Sequence, residues 1–228
     1  MHDWNYIYKK YGVIQKDVMP VVKKFNSFLL KQKKKKYKLL DLGCGTGRHT
    51  MYVLRYLCKA GTCVQFDAID NSRKAVIILK NIIKKEKTLI KNSNLELEVK
   101  VGNLKRKLPY LLGSIDGIIS TLVIQHGIMS EIKSCCSEMK RVLRKKGLLC
   151  LAVISTKDPR YKTGEEVEHG TRINTKQKDG KVPHHFFTDK EIENKLFNGF
   201  KVIYKKLQSR KSAVANLTAK HWEYVLLK

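Results

Sequence analysis

The stretch Asp41-Leu42-Gly43-Cys44-Gly45-Thr46-Gly47 places three glycines at alternate positions. It directly follows an apolar run, Tyr37-Lys-Leu-Leu-Asp-Leu42, and precedes a segment from Thr50 to Lys59 whose apolar residues recur at helical intervals. A strand, a glycine loop and a helix in that order present backbone N–H groups to a ligand at the helix N-terminus, and glycine lets the backbone come close to it. A dinucleotide-binding loop requires GxGxxG. Here the pattern is GxGxG, with Arg48 where the last glycine belongs, which argues against NAD.

Outward from this loop, short apolar runs alternate with helical spacing, the signature of a βαβ succession and a mainly parallel sheet. Strands are predicted over Val64 to Ile69, Leu95 to Val101, Ile115 to Thr121 and Leu148 to Ile154, with helices over Arg73 to Lys87 and Ser130 to Leu143. The run Leu148 to Ile154 is apolar throughout and reads as a central strand. From Ser155 to Pro183 the pattern fails and the segment reads as a lid or as disorder. Beyond it, Thr188-Asp-Lys-Glu191 reads as a capping box opening a short helix, and Phe200 to Lys206 and His221 to Leu227 as closing strands.

A chain of 228 residues that is 43% hydrophobic supports one substantial core and a single globular domain. No run approaches the roughly 20 apolar residues that span a bilayer, and the N-terminus lacks the order of a signal peptide, so a cytoplasmic protein with no membrane partner is expected. The six cysteines lie in apolar segments without a CxxC pair and read as reduced, buried thiols. The net charge of +27 is mostly lysine spread along the whole chain. It is compatible with an RNA partner or with a solvated surface, and the scarcity of arginine weighs against nucleic-acid readout.

A carboxylate is expected at the tip of the second strand, roughly 20 residues after the first, where it can accept both hydroxyls of a ribose. Asp70 stands there, and its rival Asp67 falls inside the strand. The loop, the preceding acid and this spacing together resemble the first motif of class I S-adenosylmethionine-dependent methyltransferases, which is commonly very close to DLGCGTG. Val101-Gly102-Asn103-Leu104 resembles the family's GDA or GDL segment with Asn in place of Asp. Ile115-Asp116 through Ser120 to Gln125-His126 resembles its fourth motif, and Arg141-Val-Leu-Arg-Lys-Lys-Gly147 its RVLKPGG turn. The flanks, Trp4-Asn-Tyr-Ile-Tyr8 with Tyr11 and Pro183-His-His-Phe-Phe-Thr188, are similar to small methyltransferases related to the tellurite-resistance group.

The resemblance implies an α/β, Rossmann-like class I methyltransferase fold. Its sheet is seven-stranded and mostly parallel, with helices on both faces and the last strand antiparallel. It implies a helical cap over 1–36, a donor-binding core over 37–154, a lid or insertion over 155–185, and a helix with closing strands over 186–228. It also implies S-adenosylmethionine as methyl donor, with contacts from Asp41, Gly43, Cys44, Gly45, Gly47, Asp70, Asn71, Asn103, Leu104, Ser120 and Gln125.

Methyl transfer from a sulfonium is a direct displacement, so positioning and exclusion of water matter most, and a hydroxyl or amine acceptor gains from a general base. His126 is the catalytic candidate, being next to the donor by the motif match. Tyr11, His49, His169, His184 and His185 are substrate-side candidates, and Tyr8 with Tyr11 is placed to cover the donor pocket. No metal site is expected, because adjacent histidines on an extended chain point opposite ways. A small-molecule acceptor is the leading reading. An RNA or tRNA methyltransferase and a non-catalytic donor-binding subunit are the alternatives.

Overall fold

The computed structural model describes residues 4–86, 94–174, 182–211 and 217–228. Two helices, α1 (Trp4–Tyr11) and α2 (Pro20–Lys31), precede the alternating core. The core runs β1 (Lys36–Leu42), α3 (Arg48–Lys59), β2 (Cys63–Asp70), α4 (Arg73–Lys85), β3 (Leu95–Val101), β4 (Ile115–Thr121), α5 (Met129–Val142) and β5 (Leu143–Ile154). Three short strands follow, β6 (Glu165–Glu168), β7 (Thr171–Ile173) and β8 (His184–His185), and the chain closes with β9 (Lys201–Lys211) and β10 (Thr218–Leu227).

The main sheet has seven strands in the order β3-β2-β1-β4-β5-β10-β9. β1 through β5 pair in parallel, and β10 runs antiparallel between β5 and β9. This is the expected class I methyltransferase topology. The strand order reverses between β1 and β4, and in open α/β sheets ligands bind in the crevice outside the carboxyl ends of the strands at such a switch point.

Alternation along each strand feeds two cores. On β5, Leu148, Cys150 and Ala152 face α2 and α3, while Leu149, Leu151 and Val153 face α5. Burial on both faces explains why β5 reads as an unbroken apolar run rather than as an alternation. β5 starts at Leu143, five residues before the predicted strand, because the pairing with β4 jumps from Ile115↔Leu143 to Gly117↔Leu148. Lys146 takes φ +62° inside that irregularity and donates its N–H to the Lys228 carbonyl oxygen at 2.7 Å. The turn read from the sequence is therefore a bulge within the strand.

The segment 155–183 corrects the expectation of disorder over much of its length. A tight 3₁₀ turn at Pro159–Lys162 leads into the three-stranded sheet β6-β7-β8, and residues 175–181 lie outside the described ones. The capping box at Thr188 forms by half. The Glu191 N–H donates to Thr188 Oγ1 at 3.1 Å, but the Glu191 carboxylate turns to His185 Nε2 at 3.0 Å. The turn that follows, Glu191–Leu196, is π-helical. No disulfide joins any of the six cysteines, and no described helix is long and apolar enough to cross a membrane.

Asp158 ties the 3₁₀ turn to the large sheet. Its carboxylate accepts from Arg160 Nε at 2.8 Å, Arg160 Nη2 at 3.1 Å and the Lys220 N–H of β10 at 2.7 Å, and it is 2% exposed. Burial pushes its pKa up, the Arg160 guanidinium and the backbone donors pull it down, and the net result is below the ordinary value. A depressed carboxylate contributes stability that is present above its unfolded pKa and lost as pH falls through the folded one. Asp158→Ala leaves Arg160 buried without its partner, so urea denaturation should show a loss of about 3 kcal/mol at neutral pH, shrinking as pH drops below about 4. A loss under about 1 kcal/mol would contradict this role.

Candidate active site

The glycine loop sits at the switch point. The N–H groups of Gly43 and Cys44 both donate to the Ile69 carbonyl oxygen, at 2.7 and 3.0 Å, which pins the loop after β1 to the end of β2. Gly45 takes φ +53°, a left-handed conformation that favours glycine, and a Cβ there would lie 2.6 Å from the Tyr8 hydroxyl.

Asp70, at the tip of β2, accepts the Gly45 N–H through Oδ2 at 2.8 Å and the Ser72 N–H through Oδ1 at 2.8 Å. Burial raises its pKa, opposed by those two backbone donors. Asp67 is turned elsewhere, 3.9 Å from Lys100 and beside Tyr110, so the tip of the strand belongs to Asp70. Asp41 lies behind the loop, where Oδ2 accepts the Thr50 hydroxyl at 2.6 Å. Burial pushes it up to about 7 against that hydrogen bond.

These elements open onto a cavity of about 910 Å³. It is roofed by α1 through Trp4 and Tyr8 and floored by the loop Thr121 to Gly127 after β4. Asn5 locks the roof in place, since its Oδ1 accepts the Lys74 N–H of α4 at 2.9 Å. On the floor Leu122 takes φ +60°, a conformation costly for a side chain with a Cβ, and such strain concentrates at functional sites. Its N–H is held by the Ala152 carbonyl oxygen at 2.7 Å.

Most expected donor contacts converge here. Gly43, Cys44, Gly45, Asp70, Asn71, Asn103, Leu104 and Gln125 line the cavity. Asn103 also closes a local turn, its Oδ1 accepting the Lys105 N–H at 2.9 Å, and Gln125 Oε1 accepts the Ile154 N–H at 2.9 Å. Asp41, Gly47 and Ser120 do not reach the cavity surface. Gly47 starts α3 with φ +85°, and Ser120 is fully buried in β4.

The histidines divide. His126 and His184 line the cavity with their rings in edge contact at 4.7 Å, and His126 also meets Trp4 at 4.8 Å. His49 lines it too, but both of its nitrogens are engaged. Nε2 accepts the Met19 N–H at 3.3 Å, so the proton sits on Nδ1 and is donated to Thr121 Oγ1 at 2.8 Å. Burial, then the neighbouring Arg48, hold its pKa well below the usual range. His185 faces away, between Thr171 Oγ1 at 2.7 Å and Glu191. His169 is exposed at the β6–β7 turn, and Tyr11 is 41% exposed and outside the cavity. Arg48, Arg160, Arg210 and His221 line the cavity and were not among the expected site residues. Only Arg48 carried a signal, as the residue displacing the last glycine of a dinucleotide loop.

Fold and site together define a class I, S-adenosylmethionine-type methyltransferase architecture. A family model described as a methyltransferase domain matches residues 33–207, and the chain belongs to that family. Among curated proteins it is 32% identical over 115 residues to a non-reducing polyketide synthase of Penicillium brasilianum, a match covering 50% of this chain and 4% of the synthase. Three solved structures show the same fold at low identity. An S-adenosylmethionine-dependent methyltransferase from Methanosarcina mazei has a TM-score of 0.72 at 17% identity, covering 93% of this chain and 98% of that one. TehB from Haemophilus influenzae has a TM-score of 0.62 at 16% identity, covering 98% and 66%. The 1,6-didemethyltoxoflavin-N1-methyltransferase of Burkholderia thailandensis, solved with its substrate and S-adenosylhomocysteine, has a TM-score of 0.63 at 14% identity, covering 98% and 84%.

S-adenosylmethionine is the cofactor of this architecture, and the residues present fit it. The glycine loop takes left-handed backbone at Gly43, Gly45 and Gly47, and the Asp70 carboxylate lines the cavity at the tip of β2, where a ribose acceptor is expected. Asp70→Ala should weaken S-adenosylhomocysteine binding by about 2 kcal/mol, roughly 30-fold, in calorimetric titration. Unchanged affinity would place the ribose elsewhere.

Proposed function

We propose that this chain methylates a small molecule held in the same cavity as the donor. The observation that carries the reading is convergence on one cavity. Residues from α1, the strand tips and the 155–185 segment line a single space of about 910 Å³, toward the upper end of the roughly 300–1,000 Å³ usual for small-molecule sites. Arg160, Pro183 and His184 bring the 155–185 segment to its wall, which supports a lid role for that segment. Tyr8 and Trp4 do the same for the N-terminal cap.

When bound, the sulfonium donor supplies an activated methyl group, and no covalent protein intermediate is needed. The chain's own residues orient the two reactants and keep water out. His126 is the proposed proton acceptor for a hydroxyl or amine nucleophile, standing on the cavity floor between Trp4 and His184. The absence of disulfides among the six cysteines is in keeping with a reducing compartment, which supports a cytoplasmic enzyme. The net charge of +27 then belongs to the solvated surface.

The test is transfer of label from methyl-labelled S-adenosylmethionine into total RNA and into a small-molecule extract, incubated separately. Label in the extract, abolished by His126→Ala with S-adenosylhomocysteine affinity retained, is the expected result. Label in RNA alone would replace this reading with an RNA methyltransferase. No label in either, with donor binding intact, would favour a non-catalytic subunit.

A further inference from the structure

One wall of the cavity is built from Arg48 at the start of α3 and Arg210 near the end of β9, with His221 of β10 beside them. Ala219, paired with Arg210 across the two strands, lines the same wall. Lys211, next to Arg210, adds a further cation to the lining, while several other charges around the cavity are compensated locally. Arg160 is paired with Asp158 at 2.8 Å, Lys105 with Glu131 at 2.6 Å, and Asp70 is satisfied by backbone N–H groups.

Arg48 and Arg210 differ. Among the described residues neither has a carboxylate within ion-pair distance, and the hydrogen bond shown for Arg48 runs from Nη1 to the Asp17 carbonyl oxygen at 3.2 Å. Arg210 Nη1 and His221 Nδ1 are buried without a hydrogen-bond partner among the described residues. Glu223 attracts Arg210 but does not line the cavity; its Oε2 accepts the Val21 N–H at 3.2 Å, its Oε1 is buried without a hydrogen-bond partner among the described residues, and burial disfavours its charged form. Burial, then the neighbouring Arg210, bring the Arg48 guanidinium down to about 10. Burial, then Arg48 and Arg210, hold His49 below its usual range, and burial, then Arg160 ahead of Arg210 and Arg48, does the same for His221.

Two partly buried guanidinium groups facing one cavity attract an anion that compensates them, and their planar forks match carboxylate and phosphate geometry. We propose that Arg48 and Arg210 receive an oxyanion of the methyl acceptor, a carboxylate or phosphate carried by a small molecule, with His221 completing the wall. The proposal rests on the small-molecule reading above. It defines the acceptor as acidic and assigns β9, far from the glycine loop in sequence, to acceptor recognition.

Benzoate and inorganic phosphate serve as probes, each titrated calorimetrically into protein saturated with S-adenosylhomocysteine. At least one should bind, and which of them binds more tightly identifies the acceptor's acidic group. Arg210→Met should weaken that binding at least tenfold and Arg210→Lys should recover part of it. S-adenosylhomocysteine affinity, which also reports folding, should change less than threefold in both. Three results would overturn the proposal: no binding of either anion to the loaded wild type, anion binding that survives Arg210→Met and so belongs to surface lysines, or an equal loss of donor affinity in Arg210→Met. Failure of the wild type to bind S-adenosylhomocysteine would instead overturn the donor reading.

Discussion

The Asp70 carboxylate, held between the Gly45 and Ser72 N–H groups, is the point on which the rest of the site depends. It fixes the distance between the ends of β1 and β2 where the strand order reverses, and it sets the depth of the glycine loop under α1. Gly45 takes left-handed backbone next to the Tyr8 hydroxyl, where α1 closes over the loop. Asn5 then carries the roof across to the N-terminus of α4. A carboxylate, a glycine and a capping asparagine thus give a crevice common to open α/β sheets a roof on one side.

Much of this was legible in the sequence because the determinants are local. Strands buried on both faces read as unbroken apolar runs, and β3 and β4 fell at their predicted limits. The glycine loop and Asp70 were legible because the backbone geometry they serve admits few residue types. Elements set by long-range pairing were not. β5 begins five residues early because Lys146 adopts a left-handed conformation against the C-terminal Lys228. The 155–183 segment looked irregular because β6, β7 and β8 are short and are linked by the long-range chain Glu168–Thr171–His185–Glu191.

The histidines show the same division. Composition alone cannot tell a cavity-lining imidazole from a fully engaged one. His49 lies beside the glycine loop in sequence, yet both nitrogens are spent on Met19 and Thr121. His184 and His185 are neighbours, and the alternation of an extended chain sends one to the cavity and the other to Glu191. The arginine wall lay beyond sequence reading altogether, because Arg48 and Arg210 meet only when β9 joins the edge of the finished sheet.

Amide hydrogen exchange with and without S-adenosylhomocysteine probes the donor chamber most directly. Donor binding between the strand tips and α1 should slow exchange in the loop from Gly43 to His49 and in the helix Trp4–Tyr11 together, since the roof and the loop close on the same ligand. Protection confined to other parts of the sheet, with loop and helix unchanged at saturation, would contradict the placement of the donor and of the chamber built around it.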